Sequence, residues 1–102
     1  MKIIFSSHSK KILSEIYKFY KLKVNIRIAK AIKTKIIYRA NELKIHPNLG
    51  QKELSIQNQE DIHYYLLSGN YKIIYIHFDG NIIITDIFDV RQNPTKINKE
   101  NR

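Results

Sequence analysis

The apolar residues of the chain follow two patterns, first that of amphipathic helices and then that of β-strands. The first short apolar run, residues 2–5, predicts a strand that ends at two serines. Ser6, Ser7 or Ser9 can cap a following helix by accepting a hydrogen bond from its free backbone N–H groups. Five apolar residues of that helix recur at helical spacing: Ile12, Leu13, Ile16, Phe19 and Tyr20.

A second helix is predicted to begin near Asn25, after a tight break at residues 22–24. Its apolar positions step by three or four residues along one side: Ala29, Ile32, Ile36, Ala40 and Leu43. The helix is expected to end at residues 46–50, because Pro47 disfavours helical geometry in the residue before it and Gly50 permits a turn. Two helices with so short a connection predict an α-helical hairpin.

After Gly50 the pattern changes to that of strands and turns. We expect a short strand at residues 52–56, a polar loop at 57–61 and longer strands at 62–67, 71–78 and 82–90. The pairs Gly69-Asn70 and Asp79-Gly80 separate the longer strands and are typical of two-residue hairpin turns, since Gly and Asn tolerate positive φ. The strands are almost continuously apolar, so both faces of the sheet should be at least partly covered.

This order of elements predicts an α+β fold. An N-terminal strand and a helical hairpin would pack on one face of a mainly antiparallel, twisted sheet of four to five strands. We expect one domain over residues 1–97 and a polar C-terminal tail at 98–102.

The composition excludes several kinds of site. There is no cysteine, which rules out disulfides, thiolate metal sites and cysteine nucleophiles and makes the cytoplasm the expected location. No window contains the roughly 18 apolar residues that a membrane span needs, so no membrane partner is expected. The four histidines lack the spacing of metal ligands, so neither a metal nor another cofactor is predicted.

The net charge of +9 has two interpretations. Such an excess favours an acidic partner, either nucleic acid or an acidic protein segment. Alternatively, the abundance of Ile, Lys and Asn follows from codon bias in an AT-rich genome. Composition alone leaves both open.

Three stretches carry a resemblance to a known family: His46-Pro47-Asn48-Leu49-Gly50, Gly69-Asn70-Tyr71-Lys72-Ile73-Ile74-Tyr75 and Ile87-Phe88-Asp89-Val90-Arg91-Gln92-Asn93-Pro94. They look like the motif after the second helix, a central strand, and the last strand with its following basic residue in the RelE/ParE superfamily of toxins. With the order and length of the elements, the chain resembles that superfamily over about residues 2–97. Each stretch is short, and their combination at these separations makes the resemblance specific.

The resemblance implies the toxin of a type II toxin–antitoxin system, neutralised by an antitoxin that is expected to be acidic. ParE-like members inhibit DNA gyrase, whereas RelE-like members cut mRNA on the ribosome. The motif at 46–50 favours a ParE-like gyrase inhibitor, and an mRNA endonuclease is the alternative. A plain RNA-binding module is a third hypothesis that the charge alone supports.

For the ribonuclease hypothesis the resemblance implies four residues. Lys72 and Arg91 occupy positions of phosphate-binding arginines in the nuclease branch, while His63 and Tyr65 occupy positions of two lysines. The late catalytic tyrosine of that branch has no counterpart, because no tyrosine follows Tyr75. RNA cleavage needs a base, a cation at the phosphate and an acid, so the proton-transfer groups are in doubt.

Hairpin register predicts where these side chains point. Two-residue turns would pair Phe78 with Asn81 and Ser68 with Tyr71, and would place Lys72 opposite both Leu67 and Ile87. On that register five residues share one face of the sheet: His63, Tyr65, Lys72, Asp89 and Arg91.

Purely structural roles for Lys72 and Arg91 remain as alternatives to phosphate binding. Lys72 can be a half-buried residue whose amine reaches solvent, and Arg91 can pair with Asp89 or Asp86 to secure the end of the strand.

Overall fold

The computed structural model describes residues 1–56 and 60–92. In that part of the chain the elements are β1 (Ile3–Phe5), α1 (Ser7–Lys23), α2 (Ile26–Asn41), a 3₁₀ turn (Glu42–Lys44), β2 (Gln51–Lys52), β3 (Tyr64–Ser68), β4 (Tyr71–Phe78) and β5 (Asn81–Asp89). The predicted tail at 98–102, the last residues of the predicted domain and most of the predicted polar loop lie outside the described residues. No helix among those described is long and apolar enough to cross a membrane.

Both predicted helices are confirmed, and each begins at a side-chain cap. Ser6 Oγ accepts a hydrogen bond from the Ser9 backbone N–H at 3.1 Å, and Asn25 Oδ1 accepts one from Ile28 N–H at 2.8 Å. Each cap satisfies an N–H group that the first turn of a helix leaves without a partner. Val24 and Asn25 alone separate the helices, which pack against each other as a hairpin.

The apolar side of α1 is narrower than the sequence pattern predicts. Leu13 and Ile16 are buried, but Phe19 is 55 % exposed. Its ring packs edge-on against the ring of Tyr20, with centroids 5.1 Å apart, and does not enter the core. Phe19 therefore shares the helical spacing of the apolar residues without sharing their burial.

The five strands form one sheet in the order β1-β5-β4-β3-β2. β1 runs parallel to β5, and every other neighbouring pair is antiparallel. The predicted α+β architecture is confirmed, with the helical hairpin on one face of the sheet. The short strand predicted at 52–56 exists, but its bounds were wrong: it is Gln51–Lys52, because pairing stops at Lys52 and the chain then turns, with Glu53 N–H donating to the carbonyl of His63.

The register follows the predicted turns until it meets a β-bulge. Ser68 pairs with Tyr71 and Phe78 pairs with Asn81, as the two-residue turns require. Farther along the second hairpin, Ile74 pairs with Asp86 while Tyr75 pairs with Ile84, so that β5 contains one extra residue, Thr85. An extra residue shifts every later pair by one position.

Apolar side chains cover both faces of the sheet, as predicted. The larger core lies between the hairpin and the sheet and includes Leu13, Ile36, Leu43, Ile73 and Tyr75. A smaller cluster on the opposite face joins Ile56, Ile74 and Phe88, with Tyr65 packed against it. The loop after β2 supplies Ile56, so it covers part of the face that the helices leave open.

Candidate functional site

The bulge puts on opposite faces of the sheet the two cations, Lys72 and Arg91, that the predicted register placed on one face. Lys72 pairs with Phe88 and not with Ile87, and Asp89 pairs with Tyr71. Directly paired residues project from the same face, so Lys72 points away from the helices while Asp89 points towards them. The predicted common face for Lys72 and Asp89 was wrong, because Thr85 adds one residue between the turn and the end of β5.

Lys72 lies within a polar cluster on the face away from the helices. Its Nζ is 2.6 Å and 3.2 Å from the two carboxylate oxygens of Glu53, which is 5 % exposed. The same ammonium lies 4.3 Å from the centroid of the Tyr65 ring, in a cation–π contact. Tyr65 in turn donates its hydroxyl hydrogen bond to Gln51 Oε1 at 3.2 Å. The charge of Lys72 is therefore largely compensated within the protein.

His63 directly precedes β3 and lies beside Glu53, the partner of Lys72. It is 1 % exposed, and its Nδ1 is 3.1 Å from the backbone carbonyl of Asp61. Its backbone carbonyl accepts the Glu53 N–H. A side chain buried to this extent does not meet a substrate at the surface of the described structure.

Arg91 lies on the helix side, at the end of β5. Its Nε and Nη2 donate to the two oxygens of Asp89 at 2.9 Å and 2.6 Å, a bidentate pair. This guanidinium lowers the pKa of the Asp89 carboxyl below its usual range. Of the alternatives left open by the sequence, the pair with Asp89 is the one that forms. The Arg91 side chain is nevertheless 61 % exposed, so it remains available to a partner.

A groove of about 510 Å³ joins Arg91 to the first helix. On its wall Tyr71 donates a hydrogen bond to the hydroxyl of Tyr20 at 3.3 Å. Burial raises the pKa of the Tyr71 phenol well above its ordinary value, so at neutral pH this group stays protonated. At the other end, His8 Nε2 is 3.2 Å from Oδ1 of the buried Asp86. The helical spacing of Tyr20 and the strand position of Tyr71 are those of ordinary packing residues, so the sequence pattern did not indicate the contact between their hydroxyls.

The four residues proposed for RNA cleavage do not converge. Tyr65 and Lys72 are neighbours, His63 is buried beneath them, and Arg91 opens on the other side of the sheet. A phosphate held by Arg91 would therefore have neither His63 nor Lys72 beside it. This arrangement lacks the compact set of base, cation and acid that such a reaction needs.

A second, larger groove of about 750 Å³ lies between α2 and the turn that joins β3 to β4. Its apolar parts come from Ala31, Leu67 and Tyr38, which is 74 % exposed. Four cations line it: Arg27, Lys30, Lys35 and Arg39. Arg39 spans the groove wall, because its Nε donates to the Leu67 carbonyl at 3.0 Å and its Nη1 to Glu42 at 3.0 Å.

The stretches 46–50 and 69–75 meet in the core through Gly50 and Tyr75. Gly50 lies so close to Tyr75 that a Cβ at that position would stand 1.9 Å from the tyrosine hydroxyl oxygen. The backbone N–H of Gly50 hydrogen-bonds that hydroxyl, and Tyr75 itself is fully buried. Gly50 does not have a positive φ, so its role is close approach and not the turn that the sequence suggested.

Residues 1–56 and 60–92 contain no group of three His, Cys, Asp or Glu side chains that could hold a metal ion.

Comparison with known proteins agrees with the fold. The family described as "ParE toxin of type II toxin-antitoxin system, parDE" matches residues 3–94. A solved structure described as the chromosomal ParDE TA system from P. aeruginosa is similar in fold, with a TM-score of 0.73 and 15 % identity over 87 % of this chain and 95 % of that one. No curated protein matches the sequence. Since the family match covers nearly the whole of the described structure, the chain belongs to the ParE toxin family of type II toxin–antitoxin systems.

Proposed function

We propose that this toxin arrests growth by binding and inhibiting DNA gyrase in the cytoplasm, and that a cognate antitoxin neutralises it. Membership of the ParE family supports the gyrase target. The observation that carries the proposal is the separation of Arg91 from His63 and Lys72 on opposite sides of the sheet. A protein without a compact catalytic set acts on its target through its surface.

Arg91 is the contact that we propose for the target. Its exposed guanidinium is held in one orientation by the two oxygens of Asp89, so little side-chain entropy is lost when it binds. It also lies at the mouth of a groove whose rim includes the exposed ring of Phe19. Arginine beside an exposed aromatic ring is the composition that protein interfaces favour.

For the antitoxin we propose the groove along α2. Its cations surround apolar side chains, which suits an amphipathic acidic segment: Leu67 and Tyr38 would contact its apolar residues, and Arg27 and Lys35 its carboxylates. The net charge of +9 would speed the association of such a partner.

The decisive experiment measures DNA supercoiling by purified gyrase with the full-length toxin added. We expect inhibition that rises with toxin concentration and that disappears when the antitoxin, encoded beside the toxin, is supplied in equal amount. In parallel, mRNA cleavage is measured on translating ribosomes. Cleavage without gyrase inhibition would overturn the proposal in favour of the RelE-like alternative, in which Lys72, Tyr65, His63 and Arg91 would have to form the site.

Arg91→Ala tests the proposed contact. We expect at least about ten-fold weaker inhibition, because truncating an interfacial arginine commonly costs 1.4 kcal/mol or more. Lys72→Ala is the matched control, since it removes one positive charge from the other side of the sheet. It should inhibit gyrase as the unchanged protein does when equal amounts of folded protein are compared. Unchanged growth arrest by Arg91→Ala would refute the assignment.

A further inference from the structure

The net positive charge of this protein comes from one segment, the helical hairpin. Residues 7–41, which form the helical hairpin, contain ten Lys and Arg residues and a single acid, Glu15. The other 67 residues contain eight basic and eight acidic residues, so the hairpin accounts for the whole net charge of +9. Codon bias enriches lysine throughout a chain, but it does not remove acids from one segment and balance the charges elsewhere.

Five of these cations form a continuous surface, which we call the lysine face: Lys10, Lys11, Lys18 and Lys21 of α1 with Lys33 of α2. All five are exposed. At 100° per residue, Lys11 and Lys18 lie opposite the buried Leu13 and Ile16, while Lys10 and Lys21 flank that buried side on the same edge as Tyr17. Lys33 joins them across the junction of the helices, because its Nζ lies 5.4 Å above the ring of Tyr17 on α1. From Lys10 to Lys21 the row is about 16 Å long at 1.5 Å per residue.

The five residues of the lysine face form no ion pair among the residues that the structure describes, and the one acid beside them is Glu15, a turn away from Lys11 and Lys18. In the described part of the chain, the one lysine or arginine of the hairpin with an ion pair is Arg39, which binds Glu42. By contrast, Lys72 and Arg91 outside the hairpin each have a carboxylate at 2.6 Å. Like charges held together in this way repel each other, and a bound polyanion removes that repulsion.

Its composition indicates the kind of polyanion. Lysine is depleted at protein–protein interfaces, whereas arginine and aromatic residues are enriched there. Lysine is instead a usual partner of phosphate, as a point charge that does not depend on base sequence. Single-stranded nucleic acid needs exposed aromatic rings for its bases, and the lysine face has none, since Tyr17 is half-buried beneath Lys33.

We propose that the lysine face binds the phosphate backbone of duplex DNA. A row of 16 Å spans on the order of five phosphates of one strand, at 3.4 Å of helix axis each. The five lysines, two at one end of the row and three towards the other, can therefore contact phosphates within this span and release the counterions condensed on them. Ser14, which is half-exposed within the row, can donate a further hydrogen bond to a phosphate oxygen. This binding needs neither gyrase nor the antitoxin, so it stands apart from the proposed function.

The test measures binding of the full-length toxin, made by cell-free synthesis, to a fluorescein-labelled 24-base-pair duplex by fluorescence anisotropy at several salt concentrations. With five phosphates neutralised, the logarithm of the association constant should fall with the logarithm of salt with a slope of about −4.5. In the triple variant Lys10→Gln, Lys18→Gln and Lys21→Gln the slope should become shallower by about 2.7, and affinity in 50 mM salt should fall at least about ten-fold.

The matched control is the triple variant Lys2→Gln, Lys44→Gln and Lys52→Gln. It removes the same charge from exposed positions outside the hairpin and should bind DNA within about two-fold of the unchanged protein. Far-ultraviolet circular dichroism shows that each variant is folded. Equal losses in the two triple variants would overturn the proposal, because net charge alone would then explain the binding. Tighter binding to a single strand of the same length, or to polyglutamate, would also overturn it.

Discussion

Gly50→Ala should destabilise the protein although it adds one methyl group to a partly exposed position. The new Cβ would lie 1.9 Å from Tyr75 Oη, 2.7 Å from Cζ of the same ring and 2.9 Å from the backbone carbonyl oxygen of Tyr65. Ordinary contact with the hydroxyl requires a separation greater by about 1.5 Å. One partner is sheet backbone and the other is a buried ring, so neither moves freely.

The surroundings of Tyr75 set the size of the effect. Its ring is fully buried, stacks on Tyr64 with centroids 5.7 Å apart, and meets the ring of His77 edge-on at 5.9 Å. Overpacking a core of this kind costs about 1–3 kcal/mol. Displacement of the ring also breaks the hydrogen bond with Gly50 N–H, for about a further 1 kcal/mol. We therefore expect a loss of about 2–4 kcal/mol in the free energy of unfolding.

Urea denaturation of four proteins measures this effect: the unchanged chain, Gly50→Ala, Tyr75→Phe and the double variant. Because the phenylalanine lacks the hydroxyl that the methyl group strikes, Gly50→Ala should cost at least about 1 kcal/mol less in the Tyr75→Phe background. Gly69→Ala is the control. It adds a methyl group in open space at φ +58°, so its backbone strain should be the same with and without the Tyr75 hydroxyl.

Two results would refute this reasoning. One is a Gly50→Ala protein within about 0.5 kcal/mol of the unchanged chain, the range of ordinary surface substitutions. The other is an equal cost of Gly50→Ala in both backgrounds, which would place its effect elsewhere than at Tyr75.

Two further predictions concern the ion pairs. Lys72→Met should lower the free energy of unfolding by about 1–3 kcal/mol, because it leaves the buried Glu53 carboxylate without its cation, and adding Glu53→Leu should recover most of that loss in the same denaturation assay. Equal stability of the single and double variants would contradict this. For Asp89, whose folded pKa is lowered by Arg91, the pair stabilises the protein above the unfolded pKa of about 3.8, and this stabilisation disappears as the pH falls through the lower, folded value. The difference in Tm between the unchanged chain and Arg91→Ala should therefore shrink between pH 5 and pH 2, and a constant difference would count against the pair.

The fold could be predicted because its signals are local. The capping residues Ser6 and Asn25, the helical spacing of Ala29 and Ile36, and the turn at Asp79-Gly80 each act over a few positions. All of them appear in the structure where the sequence placed them. The parallel pairing of β1 with β5 could not be predicted in this way, since no local pattern in either strand indicates which strand it pairs with.

The candidate site could be predicted only up to the bulge. Thr85 is an ordinary strand residue, and the isoleucines around it are buried on both faces, so the sequence offers no alternation that would show a slip of register. That single residue moved Asp89 to the helix side of the sheet. The burial of Glu53 against Lys72 was equally hidden, because it depends on a loop that folds back over the sheet.

Because Ile3 pairs with Ile82, β1 can join the sheet only after β5 has been synthesised. Both helices, β3 and β4 are synthesised before β5, so the sheet cannot close until the residues that pair with β1 have been made. Long-range pairing of this kind also slows folding, because loop closure precedes the contacts that reward it. The pairing of β1 with β5 is therefore the step that completes the sheet.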